Sequence, residues 1–173
     1  PDRSDVPYNA ARPLRYLDRF VTVTQGEVFY ATELLAKLEG LERGPAGNTS
    51  LVAALALAQT LDEDEIIVVQ ESESTGAGKH PIAQLNFAKE QGITVITGDP
   101  RENQPGHAIV IPEHIHQVQV NDIDLDRIRH SYLRTVLKKA GSRKLTERDK
   151  AFLAEDINKD LAFIESFLQS EMT

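Results

Sequence analysis

Between Phe20 and Ala58 the sequence runs through four elements. A β-branched, aromatic stretch (Phe20-Val-Thr-Val-Thr24) suits a strand. Thr24-x-x-Glu27 is a capping-box pattern and Gly40 a helix stop, so a helix is expected between them. Val28, Leu34, Leu35 and Leu38 can share one face of it. A Gly/Pro turn, Gly44-Pro-Ala-Gly-Asn-Thr-Ser50, leads to an alanine- and leucine-rich helix that starts near Asn48 or Thr49 and ends before Asp62. A helix apolar nearly all round must pack on more than one side, so this segment demands a layered fold. The turn offers bare backbone amides and three short polar side chains at a helix N-terminus, a setting that can hold a polar or anionic group.

The following segments keep the alternation. Ile66 to Val69 is a short continuous apolar run, as in a strand buried on both faces. Ile82, Leu85 and Ala88 mark an amphipathic helix ending at Gly92, and Ile93–Thr97 and Ala108–Ile111 are two further strands. The expected class is α/β: a mostly parallel sheet of about four strands flanked by helices. Leu125, Ile128, Tyr132 and Val136 then lie on one helical face. Thr146-x-x-Asp149 is a second capping signal, followed by Leu153, Ile157, Leu161, Ile164 and Leu168 at helical spacing. These residues predict a C-terminal two-helix appendage. The expected division is 1–120 for the α/β body and 121–173 for the appendage.

With 173 residues the chain can bury a real core. Its net charge of −8, with basic residues scattered, argues against nucleic acid as a partner. The lack of cysteine removes thiolate metal sites, iron–sulfur clusters and a cysteine nucleophile, and fits a cytoplasmic setting. No apolar run is long enough to span a membrane and no signal peptide is visible, so no membrane role is expected. The opening Pro1-Asp-Arg-Ser-Asp5, without methionine, suggests a processed or excised end.

Three groups of residues invite chemistry. The polar collar Asn48, Thr49 and Ser50 can receive a ligand at the start of the alanine-rich helix; an ordinary turn and N-cap is the plainer alternative. The loop Glu71-Ser-Glu-Ser-Thr-Gly-Ala-Gly-Lys-His80 resembles a phosphate-binding loop only superficially. Glu73 and His80 stand where that motif needs glycine and a hydroxyl residue. Because it follows a candidate parallel strand, its Thr75, Gly76, Lys79 and His80 are candidate substrate-cleft residues. His107, His114 and His116 lack the spacing of a metal site, and His130 falls among charged residues where solvation is expected. No nucleophile elbow or carboxylate pair is present, so no catalytic residue is assigned.

Several strings are long and unusual: Pro1-Asp-Arg-Ser-Asp-Val-Pro7, Thr24-Gln-Gly-Glu-Val-Phe-Tyr30, Gly44-Pro-Ala-Gly-Asn-Thr49, Ile67-Val-Val-Gln-Glu71 and Thr75-Gly-Ala-Gly-Lys-His80. They resemble the C-terminal part of 2-amino-4-oxopentanoate thiolase β subunits, most densely from Pro1 to Arg101. The resemblance implies a pyridoxal-phosphate enzyme of the threonine synthase and cysteine synthase type (fold type II, tryptophan synthase β-like). It implies that coenzyme A attacks the C4 carbonyl of 2-amino-4-oxopentanoate, giving acetyl-CoA and alanine in ornithine breakdown. An α subunit, and a homo-oligomer, are implied as partners. The Schiff-base lysine and the phosphate cradle would precede Pro1, which leaves this part inactive alone and poor at binding cofactor. By alignment of turns Thr49 is the first candidate to face the pyridine nitrogen, with Asn48 and Ser50 next. Pro45 falls near where the cysteine synthase branch carries its serine, a departure at this position. The rivals are a non-catalytic α/β interaction module docking a partner through its C-terminal helices, and a nucleotide-binding protein using Thr75 to Lys79.

Overall fold

The computed structural model describes residues 14–71, 81–141 and 144–171. The chain divides into two compact units. One holds Val21–Asn121 and is α/β; the other holds the described residues on either side of it and is helical.

The α/β unit is organised around α1 (Gln25–Glu39). The expected capping box is present: Glu27 N–H donates to the Thr24 hydroxyl, and Thr24 N–H donates to Glu27 Oε2 at 2.7 Å. Gly40 closes the helix in the left-handed region at φ 66°, a conformation glycine adopts without steric cost. Before α1 comes β1 (Val21–Thr22), shorter than the predicted Phe20–Thr24. The helix buries Gly26, Glu27, Val28, Phe29, Ala31 and Thr32, so Val28 alone of the predicted stripe is fully buried. Leu34 and Leu35 are half-buried and Leu38 is exposed, because the neighbouring elements cover the N-terminal half of α1 and leave its end in water.

Two small cores flank this N-terminal half. Val28 and Ala31 pack with Val52 of α2 (Thr49–Ala58) and with Val118. Phe29 packs with Ala88 of α3 (Pro81–Glu90) and with Ile109. Strands β2 (Thr94–Thr97) and β3 (Ala108–Ile111) run parallel, in register from Thr94 opposite Ala108 to Thr97 opposite Ile111. Helix α1 approaches β3 so closely that a Cβ on Gly26 would lie 1.8 Å from the Val110 carbonyl oxygen. Only glycine allows that contact.

The predicted four-stranded sheet is not formed. The described residues make two sheets of two strands each, β2 with β3 and β1 with β4 (Asn121–Asp122). The run Ile66–Val69 forms no strand, since no described backbone lies alongside to complete a ladder. The predicted face of α3 is also corrected: Ala88 is buried, but Ile82 points to solvent.

The helical unit has three helices among the described residues, not two: α4 (Leu125–Ala140), α5 (Glu147–Asp156) and α6 (Leu161–Ser170). Each begins on an oxygen side chain. Asp124 accepts from the Asp126 and Arg127 amides, Thr146 and Asp149 form the expected box, and Asp160 accepts from the Phe163 amide. The predicted continuous helix after Thr146 is broken at Asn158, which sits at φ 54°, after which Asp160 starts α6. Leu133, Leu153, Ile157, Ile164 and Phe167 close a common core, each worth roughly 1.5–3 kcal/mol of transfer free energy when fully buried. Buried Arg129 donates from Nε to the Ile157 carbonyl at 2.9 Å and pairs with Asp126. Tyr132 donates to Asp156 Oδ2 at 2.7 Å. His130 is half-buried and less solvated than expected, its ring stacking on Phe163 and Phe167 with centroids 5.4 and 5.3 Å away.

Candidate functional site

Turn and helix geometry give the three collar residues three different jobs. The Gly47, Asn48 and Thr49 amides donate back to the Gly44, Pro45 and Ala46 carbonyls. Of the amides in the first turn of α2, that of Thr49 is therefore spent on the turn. Gly44, Pro45, Gly47 and Asn48 are buried and Thr49 is exposed.

Asn48 is a bolt between helices. Its Nδ2 donates to the Thr32 hydroxyl at 2.9 Å, and that hydroxyl donates to the Val28 carbonyl at 2.8 Å. The Asn48 side chain does not cap α2, and its buried Oδ1 accepts no hydrogen bond among the described residues. Thr49 stands at the first turn of α2 with its hydroxyl donated to the Ala46 carbonyl at 3.0 Å. The first turn of α2 carries no acidic residue of its own to complement the positive end of the helix dipole. Ser50 donates to the Gly47 carbonyl at 3.2 Å and to the Gln70 carbonyl at 2.9 Å. It thereby ties the collar to the segment that leads into the Glu71 loop. The loop candidates Thr75, Gly76, Lys79 and His80 lie outside the described residues.

A cleft of about 670 Å³ elsewhere in the α/β unit is lined by Gln25, Gln84, Phe87, Gln91 and Ile93. Its walls are apolar with neutral amide groups, and it does not include the collar. Sequence patterning missed it, because three glutamines scattered over 67 positions carry no motif. An ion pair of this unit lies at a turn outside that cleft. Asp99 accepts from the Arg101 amide and pairs with the Arg101 guanidinium, which holds the Asp99 carboxyl down at about 2. Among the described residues no group of three His, Cys, Asp or Glu side chains could hold a metal ion. No helix among them is long and apolar enough to cross a membrane.

Two curated proteins match nearly the whole chain. Both are named 2-amino-4-ketopentanoate thiolase beta subunit. One, from an unknown prokaryotic organism, is 62 % identical over 169 residues. The other, from Acetoanaerobium sticklandii, is 50 % identical over 169 residues. Each alignment covers 98 % of this chain but 36 % of the relative, so the chain spans about a third of the relatives' length. No family model and no solved structure matches the chain.

Proposed function

We propose that this chain is part of the β subunit of a 2-amino-4-oxopentanoate thiolase, cleaving its substrate with coenzyme A to acetyl-CoA and alanine beside an α subunit. The observation that carries this reading is end-to-end similarity, 62 % and 50 %, to two proteins bearing that name. The helix-start geometry supports a role in holding pyridoxal phosphate. An exposed hydroxyl at a helix N-terminus with no acidic residue in its first turn suits a ring nitrogen, since its oxygen can accept from a proton-bearing nitrogen or turn to donate to a bare one. When bound, that cofactor supplies the electron sink for charge left beside the amino acid's α-carbon.

On this reading Thr49 orients the ring from its nitrogen side. Asn48 holds α2 against α1 through Thr32, and so fixes where Thr49 stands. Ser50 sets the start of the Glu71 loop through Gln70, and Thr75, Gly76, Lys79 and His80 take the substrate. The covalent lysine and phosphate cradle come from the remainder of a full-length β subunit, which assembles as a cytoplasmic homo-oligomer. The chain alone then has no turnover.

The test is a full-length β subunit bearing this sequence, with its α subunit, 2-amino-4-oxopentanoate and coenzyme A. Acetyl-CoA and alanine are expected in equal amounts, dependent on added pyridoxal phosphate. A folded, soluble complex that makes neither product contradicts the proposal. Thr49→Ala should shift the cofactor's visible absorbance without lowering the melting temperature. Asn48→Ala should lower the melting temperature, through roughly 1–3 kcal/mol of lost hydrogen bonding around Thr32.

A further inference from the structure

Residues Ile66–Gln70 have the character of a strand but pair with no strand among the described residues. The β-branched residues Ile66, Ile67, Val68 and Val69 follow one another, a composition that favours extended backbone. Exposure alternates with period two. Ile66 is 88 % and Val68 91 % exposed, whereas Ile67 and Val69 are half-buried. One face thus lies against the α/β unit and the other stands in water. An edge strand that ends in solvent carries polar or charged outward residues. Here the outward residues are as apolar as the inward ones, and the acids Asp62 to Glu65 and Glu71 stop at either end of the run. Its sequence is that of a central strand covered on both faces. The stretch is also held in place, since Ser50 Oγ donates to the Gln70 carbonyl.

We propose that Ile66–Gln70 is an inner strand of a larger sheet. Its neighbouring strand, and the layer that covers Ile66 and Val68, come from the part of the β subunit outside this chain. The inference rests on the thiolase reading above for the existence of that further polypeptide. The relatives supply the length: this chain accounts for 36 % of each. A second copy of the chain is a poorer occupant. Edge-to-edge pairing of two copies satisfies backbone groups along one side but puts no layer over the outward side chains. Helix α2, which precedes the strand, carries no charged residue and buries only Val52 fully. It too needs an apolar cover. A continuing sheet with packed helices meets both needs at once.

Hydrogen exchange read by mass spectrometry tests this, comparing this chain alone with the 62 % identical relative in which this chain replaces the matching stretch. In the chain alone, the amides of residues 66–70 should exchange at close to the rate of unstructured backbone. In the full-length subunit they should exchange at least about 100-fold more slowly, as expected for an inner strand. Equal, fast exchange in both overturns the proposal. Protection in the chain alone that rises with its concentration overturns it in favour of a second copy. If the composite is insoluble, the same measurement on the matching segment of the unaltered relative decides. Acetyl-CoA formation by the full-length sample, supplied with the α subunit, pyridoxal phosphate, 2-amino-4-oxopentanoate and coenzyme A, separates this outcome from the function. Activity without protection refutes the strand, and protection without activity refutes the thiolase.

Discussion

In the helical unit the large apolar residues find one another: Leu133, Leu153, Ile157, Ile164 and Phe167 are all buried together. In the α/β unit Leu38, Ile66, Val68, Ile82 and Phe87 are more than half exposed. Both units draw on similar residues, so hydrophobicity does not separate them. The difference lies in the range of their interactions. Three helices joined by short connections bury their faces against neighbours close in sequence, and each satisfies its first amides with its own cap. A sheet is closed only by strands that can come from far along a polypeptide. The helical unit therefore gathers its largest apolar residues into one core, although Tyr16 and Phe152 stay more than half exposed, whereas the α/β unit splits its burial between two small clusters and leaves more apolar side chains in water.

The comparison can be broken most sharply at Gly26. Gly26→Ala pushes a methyl group onto the Val110 backbone and should cost roughly 4 kcal/mol, melting the α/β unit while the helical unit persists. Circular dichroism in a urea series would show one unit lost first; a single unchanged transition would contradict the close approach. Next in size, Ile157→Ala should cost about 3 kcal/mol and act on the helical unit, because it empties a fully buried site. Thr146→Ala removes a capping box and should cost about 1 kcal/mol in the same urea series.

Acid sharpens the contrast further. Burial tends to raise the Asp126 carboxyl, but the hydrogen bonds from Arg129 and Lys159 outweigh it and the net shift is downward. A carboxyl lower in the folded state stabilises above its unfolded value, about 3.9, and that contribution is lost as pH falls through the folded value. Asp126→Asn should thus lower the melting temperature of the helical unit at neutral pH and make no difference at the acid end of the titration. Asp99 in the α/β unit should behave in the same sense, with its contribution lost between about 4 and about 2. The smallest effect is expected for Val68→Lys in this chain alone, within about 0.5 kcal/mol, since the side chain already stands in water. The same substitution in a full-length subunit should be strongly destabilising.

What could be read from the sequence was what is decided locally. Thr24 with Glu27, Gly40, and Thr146 with Asp149 all act within four residues or at a single φ, and all were legible. The break at Asn158 was hidden because Ile157, Leu161 and Ile164 keep helical spacing across it; Asp160 as a second cap was the available signal. The need for glycine at position 26 was not legible, because it is set by a carbonyl 84 positions away. Asn48 looked like a cap and is a bolt, because its partner Thr32 lies on the preceding helix. Ile66–Val69 has the composition of a buried strand, yet burial depends on neighbours that composition does not supply.

The account stands or falls on whether this segment is needed by a larger enzyme that it cannot replace. The direct measurement is acetyl-CoA formation by three samples, each with the α subunit: this chain, the rest of the β subunit made as a separate polypeptide, and the two co-expressed. The account predicts activity only for the co-expressed pair, which should also copurify. A remainder equally active without this chain, or this chain active alone, would contradict it.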